Sequence, residues 1–195
     1  MKKIHRFTLI ELLAVIGLIA ILGAIGFGVY TLSRNKAKES STEALLKQLE
    51  IGLEKLKANS HYPGSKDGGF SEIKVTFATD GTVSEIDFGD EKLTRQTAAS
   101  PNKEQRMKQE RFDAFAKSVD MQVIKSNCGK DGVLRDAWGG KIYYRAPGKF
   151  KKGSYDLISA GSDGKFGESK SALPSETLTE YRKDGDKVCD DLFNF

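Results

Sequence analysis

The most restrictive feature of this sequence is an uncharged run of nineteen residues, Leu12 to Tyr30, close to its start. At about 1.5 Å per helical residue, the run nearly matches a hydrocarbon core about 30 Å thick. It therefore predicts one membrane-spanning helix. Lys2, Lys3 and Arg6 precede the run. By the positive-inside rule, these cations predict a cytoplasmic N-terminus and place the polar remainder outside the inner membrane.

A cleaved secretory signal is the alternative interpretation of this start. Such a signal has a shorter apolar stretch, followed by a cleavage site with small residues. Here the run passes from Tyr30 into Ser33 and Arg34 instead. The sequence therefore favours an anchor that stays in the chain.

Length and net charge limit the number of domains and the class of partner that the rest of the chain can have. The chain has 195 residues, which suits one domain plus an anchor. Its formal net charge is +4, and removal of the three cations before the apolar run would leave +1. This near balance gives no support for nucleic-acid binding.

A stripe of leucines predicts that the first helix continues beyond the membrane. They recur at spacings of four, four and three, at Leu45, Leu49, Leu53 and Leu56. A helix from Phe7 to about Ala58 would thus be apolar all round in its first half and on one side only in its second. Tyr62-Pro63-Gly64 is expected to end it.

Alternating apolar residues predict a hairpin from Glu72 to Phe88 that turns at Asp80-Gly81. With a two-residue turn, Val75 is expected to face Ile86 and Ile73 to face Phe88.

A second, short helix and three more strands are predicted next. Ser100-Pro101 is typical of a cap and first turn, and the expected buried face, up to Asp120, consists of Met107, Phe112, Phe115 and Val119. Strands are expected at Met121–Ile124, Lys141–Arg145 and Tyr155–Ser159. A long helix, a short helix and antiparallel strands make an α+β fold.

Glu11 is the exception within the apolar segment, because a carboxylate in lipid is costly without a partner. The run Phe7-Thr8-Leu9-Ile10-Glu11-Leu12-Leu13, after a short basic leader, resembles the N-terminal signal of type IV prepilins and type II secretion pseudopilins. This resemblance implies the type IV pilin fold. It also implies cleavage by prepilin peptidase between Arg6 and Phe7, methylation of the new amine, and pairing of Glu11 with the amine of a neighbouring subunit, which sets filament register.

This chain departs from the family pattern at the cleavage site. The family has glycine before the cut, whereas this chain has Arg6 and no glycine in the leader. Without cleavage no free amine forms at Phe7, and the subunit would remain an uncut membrane protein.

The C-terminal part carries a second resemblance. The stretch from Leu134 to Gly164 is similar to the major pseudopilins of type II secretion, with an Asp-x-Trp-Gly turn, a Pro-Gly hairpin and a Ser-x-Gly-x-Asp-Gly loop. The segment 65–127 is longer than the family pattern, so its hairpin and second helix are interpreted as an insertion. Trp138 is expected to anchor a turn in the core.

The resemblance implies a calcium site in the acidic C-terminal loop. By matching positions, Asp163, Asp190 and Asp191 are candidate side-chain ligands, and Ser159 is a weaker candidate through its carbonyl group. Ca²⁺ takes six to eight oxygen ligands, which such a loop offers. The alternative is an ordinary turn at Asp163-Gly164 and a solvated tail at Asp190-Asp191.

Two cysteines, Cys128 and Cys189, lie in the part expected to be exported. In an oxidising compartment they either form a disulfide or remain two unrelated thiols, and the sequence leaves both possibilities open.

No enzymatic motif stands out. His5 and His61 lie in no zinc-ligand spacing and no nucleophile motif. A membrane-tethered periplasmic enzyme is the alternative from another class, with Glu85 and Asp87 as paired carboxylates, although alternation on the hairpin explains those two without chemistry.

The resemblance implies a structural subunit of a type II secretion pseudopilus that helps export folded proteins, with a type IV pilin for adhesion, motility or DNA uptake as the rival. The expected partners are copies of itself, other pseudopilins, prepilin peptidase, and an inner-membrane assembly platform with its ATPase. The expected segments are a leader at 1–6, a transmembrane and filament-core helix at 7–30, its amphipathic half at 31–61 and a periplasmic head at 62–195.

Overall fold

The computed structural model describes residues 8–97, 100–167, 170–176 and 191–194, and for residues 24–29 it describes the backbone alone. The chain divides into two compact units, Met1–Lys38 and Glu39–Phe195. Helix α1 (Leu9–Asn59) begins in the first unit and ends in the second. This agrees with the predicted end near Ala58, ahead of Tyr62-Pro63-Gly64.

In the first unit, helix α1 exposes its apolar side chains. All large apolar residues from Leu9 to Leu22 are more than half exposed, and they are Leu9, Ile10, Leu12, Leu13, Val15, Ile16, Leu18, Ile19, Ile21 and Leu22. Within the part of the chain that the structure describes, no helical stretch meets the length and hydropathy needed to span a membrane. The predicted span 7–30 includes Phe7 and the side chains of residues 24–29, which lie outside that part.

In the second unit, the predicted leucine stripe is buried. Leu45, Leu49, Leu53 and Leu56 are each at most 1% exposed and belong to the main hydrophobic core. The stripe is therefore the apolar face of an amphipathic helix, and it packs against the core of this unit.

The strands form two antiparallel sheets, where a single small sheet was expected. One has the order β1-β5-β6-β7, with β1 at Ser71–Glu72, β5 at Ile142–Arg145, β6 at Asp156–Ser159 and β7 at Leu192–Phe193. The other has the order β2-β3-β4, with β2 at Lys74–Phe77, β3 at Val83–Asp87 and β4 at Lys92–Thr94. The predicted α+β class is confirmed.

The predicted hairpin is present with a different turn. Val75 faces Ile86 as expected, but the loop closes from Ala78 to Thr82, with Gly81 at φ 76°. A bulge in the β2–β3 pairing restores the register expected from a two-residue turn. Glu72 was expected to begin the hairpin, which is wrong, because it lies in β1 and pairs with Tyr143 of β5.

The second helix, α2, covers Lys103–Ser118. Its N-cap is Asn102, not Ser100, because the Asn102 side chain accepts from the Gln105 amide while Gln105 bonds back to the Asn102 amide. Phe112 and Phe115 are buried as expected, but Met107 is 49% exposed, so its assignment to the buried face was wrong.

The strand predicted at Met121–Ile124 is a short helix, α3 (Met121–Ser126). Asp120 caps it by accepting a hydrogen bond from the Gln122 amide. Residues within or next to strands β2, β3 and β5 complete the core, among them Ile73, Val75, Ile86, Phe88 and Tyr144.

Candidate functional sites

The predicted site residues fall at the two ends of the chain, and four of them lie outside the described residues. These four are Arg6, Phe7, Cys189 and Asp190. The described ones are Glu11 in the first unit and Cys128, Ser159, Asp163 and Asp191 in the second.

Glu11 closes a capping box at the start of α1. The Glu11 carboxylate accepts hydrogen bonds from the Thr8 amide and the Thr8 hydroxyl, both at 2.8 Å. The Glu11 amide lies 3.3 Å from the Thr8 hydroxyl oxygen, and the Thr8 carbonyl accepts from the Leu12 amide. One carboxylate oxygen, Oε2, is therefore satisfied within its own chain.

The C-terminal loop, residues 160–167, is exposed at its tip and held at its base. Residues 162–165 are exposed, whereas Gly161, Phe166 and Gly167 are buried. The Gly167 amide donates to Asp191 Oδ2 at 2.7 Å, and Asp191 is only 2% exposed. This bond brings the predicted ligand Asp191, next to strand β7, to the loop that carries Asp163.

Asp163 lies at the exposed tip of the C-terminal loop. Its Oδ1 accepts from the Lys165 amide at 2.9 Å, and its Oδ2 lies 3.2 Å from the Lys170 ammonium. Lys170 therefore supplies a cation to this carboxylate in the structure.

The Ser159 hydroxyl is already bonded. It donates to Asp136 Oδ2 at 2.6 Å, and both residues are buried. A role for Ser159 in ion binding would therefore fall to its main-chain carbonyl group.

The oxygen atoms that the C-terminal loop offers are of the type that calcium binds. Asp163 and Asp191 offer carboxylate oxygens, and the C-terminal loop, residues 160–167, offers carbonyl groups, which are the hard ligands that Ca²⁺ prefers. Within the described residues, no three His, Cys, Asp or Glu side chains form a metal-binding group, and Asp190 lies outside those residues. A site built from the described residues alone would combine few carboxylates with main-chain oxygens.

A buried ion pair next to this region was missed by sequence reasoning. Arg145 ends β5 opposite Asp156, the first residue of β6, and the two side chains are 1% and 0% exposed. Arg145 donates to Asp156 Oδ2 from Nη2 at 2.6 Å and from Nε at 3.0 Å. Opposite charges at the facing ends of two consecutive antiparallel strands are the signal that would have indicated this ion pair.

The same carboxylate organises the loop between β5 and β6. Asp156 accepts from three consecutive backbone amides, those of Lys149, Phe150 and Lys151, at 2.9, 3.2 and 2.9 Å. Asp156 thus fixes both the guanidinium and the Pro-Gly loop, which is the predicted hairpin connection between these strands.

Cys128 is a partly buried thiol that donates a hydrogen bond to the Ile124 carbonyl at 3.2 Å. Burial, with a smaller contribution from the Asp131 charge, raises its pKa to about 11. Because its possible partner Cys189 lies outside the described residues, the disulfide stays a prediction.

The residues considered as candidates for catalysis form ion pairs or hydrogen bonds within the fold. Glu85 and Asp87 both form ion pairs with Lys92, at 3.1 and 2.9 Å. His61 contacts the Ser60 hydroxyl at 2.8 Å and Glu91 at 3.0 Å.

Trp138, which was expected to anchor a turn in the core, is only partly buried. Its backbone amide donates a hydrogen bond to Asp136 within the turn.

An N-terminal helix with an exposed apolar segment, followed by an α+β unit, is the architecture expected of a pilin-like subunit. A family described as type II secretion system protein G matches residues 92–173. The type II secretion system core protein G of Pseudomonas aeruginosa is 26% identical to this chain over 168 residues, which cover 84% of this chain and 87% of that protein. No solved structure matches the chain significantly.

These findings confirm the predicted resemblance to the type IV pilin-like family and, within it, to the major pseudopilin of type II secretion. The matched span runs from β4 through α2 to residues just beyond the C-terminal loop. It therefore includes the second helix, which was interpreted as part of an insertion.

Proposed function

We propose that this chain is a structural pilin-like subunit of a type II secretion pseudopilus, which polymerises through its N-terminal helix and helps to export folded proteins. The family match and the similarity to protein G of Pseudomonas aeruginosa support this function. The proposal assigns the chain a structural role and no catalytic one.

The exposed apolar surface of α1 between Leu9 and Leu22 is the observation that carries the proposal. Contiguous apolar surface of this kind marks a membrane-binding or protein-binding segment. In the proposal it is covered first by the inner membrane, in a single pass with a cytoplasmic N-terminus and a periplasmic head. Other subunits cover it after assembly by a membrane platform and its ATPase.

Deletion of the gene tests this function against that of a type IV pilus. We expect the proteins exported by type II secretion to accumulate in the periplasm, while surface pili and twitching stay unchanged. Loss of pili with normal export would overturn the secretion role in favour of the pilus role.

Processing at the N-terminus is part of the proposal and rests on the resemblance. Prepilin peptidase would cut between Arg6 and Phe7, and Glu11 would then accept the new amine of a neighbouring subunit. The capping box leaves Glu11 Oε1 for that contact, because both Thr8 bonds use Oε2. N-terminal sequencing of the membrane-extracted protein decides this, and a chain that still starts at Met1 contradicts it.

We also propose that the C-terminal loop binds calcium through Asp163, Asp191 and the matching residue Asp190, with carbonyl groups of the loop. The burial of Asp191 against the loop supports this, because a buried carboxylate gains from a cation. The ion would supply a positive centre that holds the tail and the loop together.

Calcium titration of the full chain in detergent, followed by calorimetry, is expected to show binding and a raised melting temperature. Lys170→Ala should raise the calcium affinity about two- to fivefold, because it removes the competing ammonium at Asp163 and exposed ion pairs have energies of this size. Lys165→Ala is the matched control, because it also removes one positive charge near Asp163, and it should raise the calcium affinity less than Lys170→Ala does. Absence of both heat and thermal shift in the wild type would rule the site out.

A disulfide between Cys128 and Cys189 is the last part of the proposal. It would close a loop of about 60 residues and stabilise the head by several kcal/mol. Peptide mapping without reductant tests it, and recovery of two alkylated thiols from protein isolated under oxidising conditions would contradict it.

A further inference from the structure

Asp136 lies at the centre of the Asp-x-Trp-Gly turn, and one of its two carboxylate oxygens is sufficient for that turn. Oδ1 accepts from the Trp138 amide at 2.9 Å and from the Gly140 amide at 2.8 Å. The backbone closes the same turn from Gly139 to the Asp136 carbonyl at 3.0 Å. An asparagine oxygen could accept the same bonds, so the turn alone does not explain a buried carboxylate here.

The second oxygen of Asp136 points to the C-terminal loop. Oδ2 accepts a 2.6 Å hydrogen bond from the hydroxyl of Ser159, the last residue of β6, and Ser159 is fully buried. The Ser159 oxygen in turn accepts from the Gly161 amide at 3.2 Å. A continuous chain of hydrogen bonds thus runs from the turn, through Ser159, to the first residues of the loop.

The loop is therefore held at both ends while its tip is exposed. At its end the Gly167 amide is bonded to Asp191, which is a proposed calcium ligand. At its start Gly161, at φ 63°, is bonded to Ser159, and Asp136 fixes the Ser159 hydroxyl. The exposed residues 162–165 bury no side chain. The far end of the loop is also held by the buried Phe166, which packs against Tyr143 and pairs with Ser171, whereas the Gly161 amide is bonded to Ser159 at its start.

We infer that Asp136 is a positioning residue for the calcium loop, which acts through the Ser159 hydroxyl and the Gly161 amide without contacting the ion. This rests on the calcium binding proposed above. A loop that is ordered before the ion arrives loses less conformational entropy on binding, so its affinity is higher. The hydrogen bond from the Gly161 amide to Ser159 orders the start of the loop. No proposed side-chain calcium ligand is bonded there, whereas Asp191 is bonded at the other end.

Ser159→Ala tests the inference in the full chain, because it removes the hydroxyl and keeps the main-chain carbonyl. We expect calcium affinity to fall about tenfold and hydrogen exchange of the Gly161 amide, measured without calcium, to accelerate. Asp136→Asn keeps the acceptor of the turn but places an amide donor against the Ser159 oxygen, so this hydrogen bond reverses and loses its charge. We expect a smaller loss of calcium affinity than in Ser159→Ala. Combined with Ser159→Ala it should add little, because without the Ser159 hydroxyl residue 136 no longer bonds to the loop.

Ser65→Ala is the matched control. Ser65 is also a buried serine, 2% exposed, and it exchanges hydrogen bonds of 3.1 and 3.0 Å with the backbone of Ala146. We expect it to lower the melting temperature about as much as Ser159→Ala does and to leave calcium affinity unchanged.

Three results would overturn the inference: wild-type affinity in Ser159→Ala, an equal loss of affinity in Ser65→Ala, or unchanged exchange at Gly161. The two proposals fail separately. A wild-type chain that binds no calcium defeats the proposed site and the inference with it, whereas normal wild-type binding without a contrast between the variants defeats the inference alone.

Discussion

Asp156→Ala is expected to lower the free energy of unfolding of the head by about 3–5 kcal/mol, which is the usual cost of leaving one member of a buried ion pair without its partner. Arg145 would stay 1% exposed, with its guanidinium between the rings of Phe70 and Phe150, at 4.1 and 4.6 Å. Among the described residues, its remaining anion would be Glu176, at 2.7 Å, which is 56% exposed.

Urea unfolding of the full chain in detergent, followed by circular dichroism, measures this effect. Glu176→Ala is the matched control, because it removes the exposed partner of the same guanidinium, and we expect a loss of at most about 1 kcal/mol. Replacing both members of the pair, as Arg145→Met with Asp156→Leu, should recover part of the loss, although the three loop amides stay without their acceptor. An Asp156→Ala loss below that of Glu176→Ala would show that the pair does not hold the head together.

Leu18→Arg is expected to abolish secretion and to prevent stable insertion of the proposed anchor. Leu18 lies in the exposed apolar part of α1, and a charged side chain at the centre of a membrane helix costs about 3 kcal/mol. In a filament the same side chain would also be buried against neighbouring subunits. Secretion assays and membrane fractionation measure the effect.

Leu18→Met keeps the apolar character at this position and should secrete normally. The unfolding of the head is expected to be the same in both variants, because position 18 lies in the other compact unit. Wild-type secretion by Leu18→Arg would contradict the proposed role of this surface.

The elements that the sequence predicted well are those with strong periodicity. The leucine stripe from Leu45 to Leu56 and the pairing of Val75 with Ile86 followed directly from spacings of 3.6 and 2 residues. The strand predicted at Met121–Ile124 was wrong because a run of four residues with three apolar side chains fits either the helical or the strand period. The capping bond of Asp120, which favours the helix, is made in three dimensions and only weakly signalled in sequence.

The candidate site was predictable only in outline. The acidic loop and its aspartates were recognised from motifs, but no motif pairs Asp136 with Ser159 or Arg145 with Asp156. Those pairings depend on strand register and loop geometry, which bring side chains 23 and 11 residues apart into contact. Local sequence indicated the residue types, and tertiary packing selected the partners.

Strand β7 determines how C-terminally truncated versions of this head are expected to behave. Among the described residues, Leu192 and Phe193 pair along this side of β6, and Asn194 secures them by exchanging hydrogen bonds of 2.7 and 3.2 Å with the backbone of Leu157. A truncation that removes residues 191–194 would uncover a row of backbone donors and acceptors along β6. Two truncated heads could then pair edge to edge, so shortened versions of this chain are expected to self-associate in a way that has nothing to do with filament assembly.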